Sequence, residues 1–220
     1  MGQSTNYPDG STLTSSALTI AQIGAILQPL TMGMLGYSAD PESSLVRIQW
    51  PTQGAPFQDV ADDICYLRCV PKDSPYNRIR DRFNSPPEGW GGGGYGAPPW
   101  GGTGVPLTEI WNYTRAWAIQ WCFYGPNSTD LARALRSALY QDYFTKALSL
   151  SQLFPVSDFP EPMRVPELFD AQWFERVDFE AEFYEFITET IARQTVISAE
   201  TFIEGNEGQI ADFTVAVSGD

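Results

Sequence analysis

Histidine is absent from the 220 residues. The side chain that most often serves as general base, metal ligand or triad member near neutral pH is therefore excluded. Positive charge is scarce: 13 lysines and arginines stand against 27 aspartates and glutamates, a formal net charge of -14. Nucleic-acid binding by phosphate neutralisation needs clustered cations, and docking on anionic membranes needs them too. Neither class fits. Cysteine is limited to Cys65, Cys69 and Cys122, an odd set that describes no disulfide framework. On a strand Cys65 and Cys69 share a face but sit ~13 Å apart, beyond bonding reach. No Cys/His set completes a zinc site, so all three read as small core residues. Charge of either sign is missing from Gly10 to Ala39. That stretch is interrupted by Gln22, Gln28 and Pro29 and has no basic flank, so it reads as neither a signal peptide nor a spanning helix. A helix with an uncharged outer side, of the kind a packed subunit interface produces, fits it better.

What is present suffices for a core: 43% hydrophobic and 14% aromatic residues. Residues 1–16 are polar and turn-rich and read as a flexible N-terminal arm. Thr14, Ser15 or Ser16 is placed to cap a helix over about 17–35, with Ile20, Ile23, Leu27, Leu30 and Met34 at helical spacing and a kink or break at Pro29. LVRIQW (45–50) and DDICYLRCVPKD (62–73) read as strands, the second ending at Pro71 or lying there at an edge. PYNRIRDRF (75–83) gathers Arg78, Arg80 and Arg82 among apolar residues. EGWGGGGYGAPPWGGTG (88–104) holds too much glycine and proline for a helix or central strand and reads as a long loop. It lacks the spacing of a phosphate-binding loop. Its Trp90, Tyr95 and Trp100 are candidate contacts with another subunit or partner.

LTEIWNYTRAWAIQWCFYG (107–125) carries the strongest strand signal. Trp111, Tyr113, Arg115, Trp117, Ile119, Trp121 and Phe123 share one parity, which faces a core or an interface. Trp111 and Trp117 join the candidate contacts on that ground. After Gly125-Pro126, Asn127 or Ser128 caps a helix with Leu131, Leu135 and Leu139 along one side, and 141–150 forms a second short helix. Prolines 155, 160, 162 and 166 mark an extended connector with short edge-strand pieces. QTVISAETFIEG (194–205) and QIADFTVAV (209–217) are further strands.

RVPELFDAQWFERVDFEAEFYEF (164–186) is the most informative stretch. Read with period two, Val177, Phe179, Ala181 and Phe183 fall on one side and Arg176, Asp178, Glu180 and Glu182 on the other. That favours a half-buried antiparallel strand over a helix. Alternate carboxylates stand ~6.6 Å apart on a strand, which the spacing of glycosidase pairs does not exclude. A carbohydrate-binding or glycosidase-like module, using exposed aromatics such as Trp173 with the 178/180/182 row, is the alternative these residues leave open. A metal-dependent hydrolase is weaker, because its ligands would all be carboxylates. The elements together predict an α+β fold: a mixed, mostly antiparallel sheet flanked by helices, in a single domain over 17–220.

VRIQWPTQGAPFQ (46–58), FYGPNSTDLARALRSAL (123–139) and the 164–186 run occur in that order. Together they resemble the bacteriophage neck (tail) terminator protein family, in which an R-x-PELF-x-x-x-W-x-ER-x-D run follows a YGPN-type turn and helix. The resemblance covers residues 18–205. It implies a tail-terminator-like fold and structural work in a virion made in the host bacterial cytoplasm. It further implies a closed, hexameric ring of identical chains at the head–tail junction, joining head-completion or connector proteins to the tail tube while DNA passes without sequence-specific binding. It implies no catalysis and no cofactor; the residues themselves give no expectation of a metal site or a membrane partner. On that reading Trp90, Tyr95, Trp100, Trp111, Trp117 and Trp173 are candidate subunit or partner contacts. Asp178, Glu180 and Glu182 are candidate lumen-facing acids, since an acidic channel repels phosphates.

Overall fold

The structure, a computed structural model, describes residues 3–7, 11–37, 45–48, 59–85, 107–169, 171–193, 198–205 and 208–216. Its elements in chain order are β1 (Gln3–Asn6), β2 (Thr12–Ser15), α1 (Ile20–Met34), β3 (Val46–Ile48), β4 (Ile64–Lys72), a 3-10 turn (Pro75–Arg78), β5 (Arg80–Ser85), β6 (Leu107–Tyr124), α2 (Ser128–Leu139), α3 (Asp142–Ser149), β7 (Leu153–Pro155), β8 (Met163–Arg164), β9 (Glu167–Phe169), β10 (Gln172–Phe174), β11 (Arg176–Arg193), β12 (Ser198–Gly205) and β13 (Gly208–Ala216). This is a mixed, strand-rich α+β fold. Among the described residues no helix is long and apolar enough to cross a membrane. The Gly-rich insert over 88–104 lies outside the described residues.

The chain forms two compact units, one of residues 17–80 with 113–187 and the other of 1–16 with 81–112 and 188–220. In the first unit the strand order is β11–β6–β4–β3. β3 runs parallel to β4, β4 antiparallel to β6, and β7 and β8 antiparallel to β11. The three helices cover one face of this sheet. Ile23, Leu27, Leu135, Leu139 and Leu148 pack there against Trp117, Trp121, Phe123, Phe179 and Phe183, and the Trp121 and Phe179 rings stack with centroids 5.5 Å apart. Alternation decides this arrangement: the aromatic parity of β6 and the apolar parity of β11 meet the helices, as their period-two patterns predict.

Two local expectations are corrected, and for a third the structure takes one of the two alternatives. Helix α1 is capped by Thr19, not by Thr14, Ser15 or Ser16. Thr19 Oγ1 accepts from Gln22 N at 3.2 Å while Gln22 Oε1 accepts from Thr19 N at 2.8 Å. This reciprocal capping box satisfies two helix-end donors, whereas Thr14 and Ser15 are taken up by β2. The helix also runs unbroken through the exposed Pro29. Finally, β4 continues one residue past Pro71. Pro71 lacks a donor, but β3 pairs only with residues 65–67 of β4, so no ladder bond is required on that side.

In the second unit, where the sequence suggests a flexible arm, β1 and β2 form an antiparallel hairpin. β2 pairs antiparallel with Glu189–Ala192 of β11. β12 and β13 form a separate antiparallel hairpin, and Arg82 pairs with the buried Glu109.

Candidate functional site

The face of the first unit's sheet opposite the helices carries most of its ionic groups. On β11, Asp178, Glu180 and Glu182 stand in one row, and each has a partner. Arg176 Nε and Nη2 donate to Asp178 at 2.7 and 2.8 Å. Gln120 Nε2 donates to Glu180 at 2.8 Å, and Lys72 Nζ pairs with Glu182. The hydrogen bond to Glu182 raises the Lys72 pKa. Burial, the largest influence, disfavours the charge of Arg176, yet its bonds to Asp178 together with the nearby Tyr124, Asp178 and Cys122 groups carry its pKa upward. Glu180 and Glu182 therefore staple β11 to other strands while Asp178 pairs within β11, and the acidic groups stay partly open to water.

At the Val177 end of β11, the residues of the R-x-PELF-x-x-x-W-x-ER-x-D run divide their work. Arg164 meets both oxygens of Glu175 in a bidentate pair. Glu167 accepts from the Tyr124 hydroxyl at 2.8 Å and from Arg176 Nη1 at 3.2 Å. Burial, with that bond to Glu167, pushes the Tyr124 pKa well up. These polar members clasp the hairpin of β9 and β10 to the sheet. Its apolar members point two ways: Phe174 is buried with Tyr66, Cys122 and Tyr124, while Leu168 and Trp173, cross-strand partners, are 55% and 63% exposed. The turn between β9 and β10 holds Ala171 at φ 62°, a left-handed conformation a β-carbon disfavours. Beside the hairpin lies an open cleft of about 980 Å³, lined by Val60, Pro126, Thr129, Pro166, Trp173 and Phe174 and crossed by the Arg164–Glu175 pair.

The remaining sequence candidates are dispersed. Trp173 stands at the cleft. Trp111 belongs to the second unit, half-buried with the Arg82 guanidinium 5.5 Å from its ring centre. Trp117 is 2% exposed in the core of the first unit, so its ring surface is occupied within the chain. Trp90, Tyr95 and Trp100 lie outside the described residues.

Sequence reasoning gave no role to Glu185, which is fully buried. Its carboxylate accepts from Leu18 N at 2.6 Å, from Arg115 Nε and Nη2 at 2.9 and 2.7 Å, and from Trp117 Nε1 at 2.7 Å. Arg115 Nη2 also donates to Leu18 O at 2.6 Å. The available signal was an acid interrupting the apolar run Val177–Ile187 on one parity of β11, and a lone arginine on the aromatic parity of β6. The cysteines are free thiols. Burial pushes the Cys69 pKa up to about 11. It pushes Cys122 up to about 12, with the nearby Asp178 charge adding to the effect.

In this geometry ionic groups tie chain segments together, and exposed aromatics stand on braced supports. The class of protein comes from comparison with known families. The model of the family described as phage neck terminator protein matches residues 20–209, so the chain belongs to the phage neck terminator family, which is structural rather than enzymatic. It is a virion component that associates with other head–tail proteins. A search of curated proteins finds no match for the chain.

Proposed function

We propose that the chain closes with copies of itself into a hexameric ring at the head–tail junction. The ring joins the connector or head-completion proteins to the tail tube and lets DNA pass through its lumen. The family match over residues 20–209 carries this reading. The chain's own chemistry supports it. A net charge of -14 disfavours adhesion to a passing polyphosphate. The 178/180/182 row lies on a sheet face that none of the described helices covers, and on this reading it faces the lumen. Trp90, Tyr95 and Trp100 of the Gly-rich insert contact a neighbouring protein.

The test is the mass of the purified chain by analytical ultracentrifugation, with negative-stain imaging of the same sample. A closed ring with an acidic lumen is expected. A ring whose lumen is basic or neutral removes the role given to Asp178, Glu180 and Glu182. Deleting 89–104 is expected to impair assembly and leave the monomer folded; unimpaired assembly removes the role given to the insert.

A further inference from the structure

The face of the first unit's sheet opposite the helices is electrically divided between its two margins. On the β3–β4 margin stand Arg47 and Arg68, both exposed. Arg47 pairs in register with Tyr66, so the two residues share this face. Burial raises the Tyr66 pKa and the Arg47 guanidinium beside it opposes that rise. The hydroxyl is neutral, and no carboxylate pairs with Arg47 among the described residues. Arg68 has neither a hydrogen-bond nor an ionic partner among the described residues. Positive charge on this margin is therefore unbalanced.

On the β11 margin the surplus is negative. Arg176 answers two carboxylates, those of Asp178 and Glu167. Lys72 pairs with Glu182 and also acts on Glu180, and its single charge neutralises only one of them. The hydrogen-bond partner of Glu180 is the uncharged amide of Gln120. Gln120 is in turn the register partner of Arg68, so cation, amide and acid stand in one line across β4, β6 and β11. Glu180 is exposed. On the outer edge of β11, β8 pairs with residues 177–178 and β7 with residues 183–185, so neither strand flanks Glu180.

Both ends of this face are covered. At the Tyr124 end the hairpin of β9 and β10 stands on it, with Phe174 buried against Tyr66, Cys122 and Tyr124. At the Lys72 end the 3-10 turn stands on it. Asn77 Oδ1 accepts there from Ala116 N at 2.9 Å, and the Tyr76 and Tyr184 rings meet edge to face at 5.9 Å. The two covers rise on either side of the Arg68–Gln120–Glu180 line and hold off a second sheet laid flat upon it. The margins stay open: β3 is the last of the described strands on its side of the sheet, and the gap between β8 and β7 leaves Glu180 unflanked. We propose that the Arg47–Arg68 margin of one copy docks against the Glu180 stretch of β11 in the next. The opposite surpluses on the two margins of one chain select a second copy as the partner, since complementary charge fixes register and like charges repel. The contact is heterologous: each chain presents both halves, and repetition generates a ring when the rotation closes. The proposal rests on the reading that the chain assembles with copies of itself, and it names the surfaces.

Charge reversal tests it, read by analytical ultracentrifugation, with circular dichroism confirming that each variant folds. Arg68→Glu and Glu180→Arg each bring like charges together at the contact, and each is expected to weaken association at least about tenfold. Mixing the two variants is expected to restore it, because every contact between unlike chains again joins opposite charges. Association of the native chain is expected to weaken as salt rises. Native multimers with both variants unchanged overturn these surfaces and leave the ring reading standing. Loss in both variants without recovery on mixing overturns the charge pairing. Recovery that stops at a dimer overturns the heterologous contact in favour of a two-fold pair. A native chain that is monomeric at every concentration overturns both the surfaces and the reading they rest on. Where a reversal fails to fold, Arg68→Gln and Glu180→Gln remove the charge alone. Each is expected to weaken association about threefold, and unchanged association again overturns these surfaces.

Discussion

The two sides of β11 treat the same functional group in opposite ways. Glu185 faces the helices, is fully buried, and accepts hydrogen bonds from a backbone amide, an arginine and an indole. Asp178, Glu180 and Glu182 point to the opposite face, where one side chain partners each and water reaches them. The difference shows what a carboxylate needs in order to occupy an interior. Burial of an unpaired charge is prohibitive, so the interior acid exists only because β6 and the entry to α1 supply a complete set of donors. In return it ties three separate chain segments together. The exterior acids are each held by a single close partner and stay open to water.

The largest expected effect comes from breaking the interior set. Glu185→Ala leaves the part-buried Arg115, the indole of Trp117 and the amide of Leu18 without their acceptor. The expected loss is about 3–5 kcal/mol of unfolding free energy, measured by urea denaturation. Glu180→Ala on the other face is expected to cost less than about 1 kcal/mol. Comparable losses for the two variants would remove the distinction between the faces.

Gly125 sharpens the comparison from the backbone. It lies between β6 and α2 at φ 106°, and a β-carbon there would stand 2.5 Å from Asp62 O and from Asp63 Oδ1. Its carbonyl and amide are both engaged, with Ser128 N and Glu175 O. Gly125→Ala is expected to destabilise by about 1–3 kcal/mol from strain alone. Circular dichroism melts check this; an unchanged melting temperature would show that the turn adapts freely.

Next in size is the staple between Lys72 and Glu182. Both side chains are substantially exposed, at 45% and 27%, so solvent screens their attraction. A double-mutant cycle with Lys72→Ala and Glu182→Ala is expected to give a coupling of about 0.2–1 kcal/mol, shrinking in high salt. A coupling as large as that of Glu185 with Arg115 would mean this face is far drier than its exposure indicates.

The long strands were readable because alternation is a local signal that survives without tertiary context. β6 is expected over 107–125 and observed over Leu107–Tyr124, and the apolar side of β11 falls where its parity places it. Leu135 and Leu139 likewise sit on the buried side of α2. What escaped depends on partners distant in sequence. Glu185 looks like a flaw in an apolar row until Arg115 and Leu18 stand beside it. The β1–β2 hairpin has a composition indistinguishable from that of a loose arm, and its pairing with β11 joins residues far apart in the chain. The hairpin of β9 and β10 was hidden for another reason. Its turn contains Ala171 at positive φ rather than the glycine or asparagine that marks such turns, so the stretch read as one strand with a proline corner. The clasp around it is spelled out by Arg164, Glu167, Glu175 and Arg176, but which acid meets which base is a product of the fold.

The smallest expected effect concerns that clasp. Hydrogen bonding to Arg164 is the main cause holding the Glu175 carboxyl below its ordinary range, with burial opposing slightly. A depressed folded-state pKa contributes stability that is fully present above the unfolded value and lost as pH falls through the folded value. The clasp is therefore expected to stay closed at neutral pH and to open only below the ordinary glutamate range near ~4.3. Trp173 lines the same cleft as Arg164 and Glu175 and reports the opening. The fluorescence difference between the intact chain and a Trp173→Phe variant is expected to stay flat from neutral pH through the ordinary glutamate range and to shift only below it. Arg164→Gln removes the cause of the depression, so the transition is expected to move up toward the ordinary range. A transition that stays where it was in Arg164→Gln would show that Arg164 does not set the Glu175 pKa. The rigidity of the cleft would then have to come from Glu167, Tyr124 and Arg176 alone.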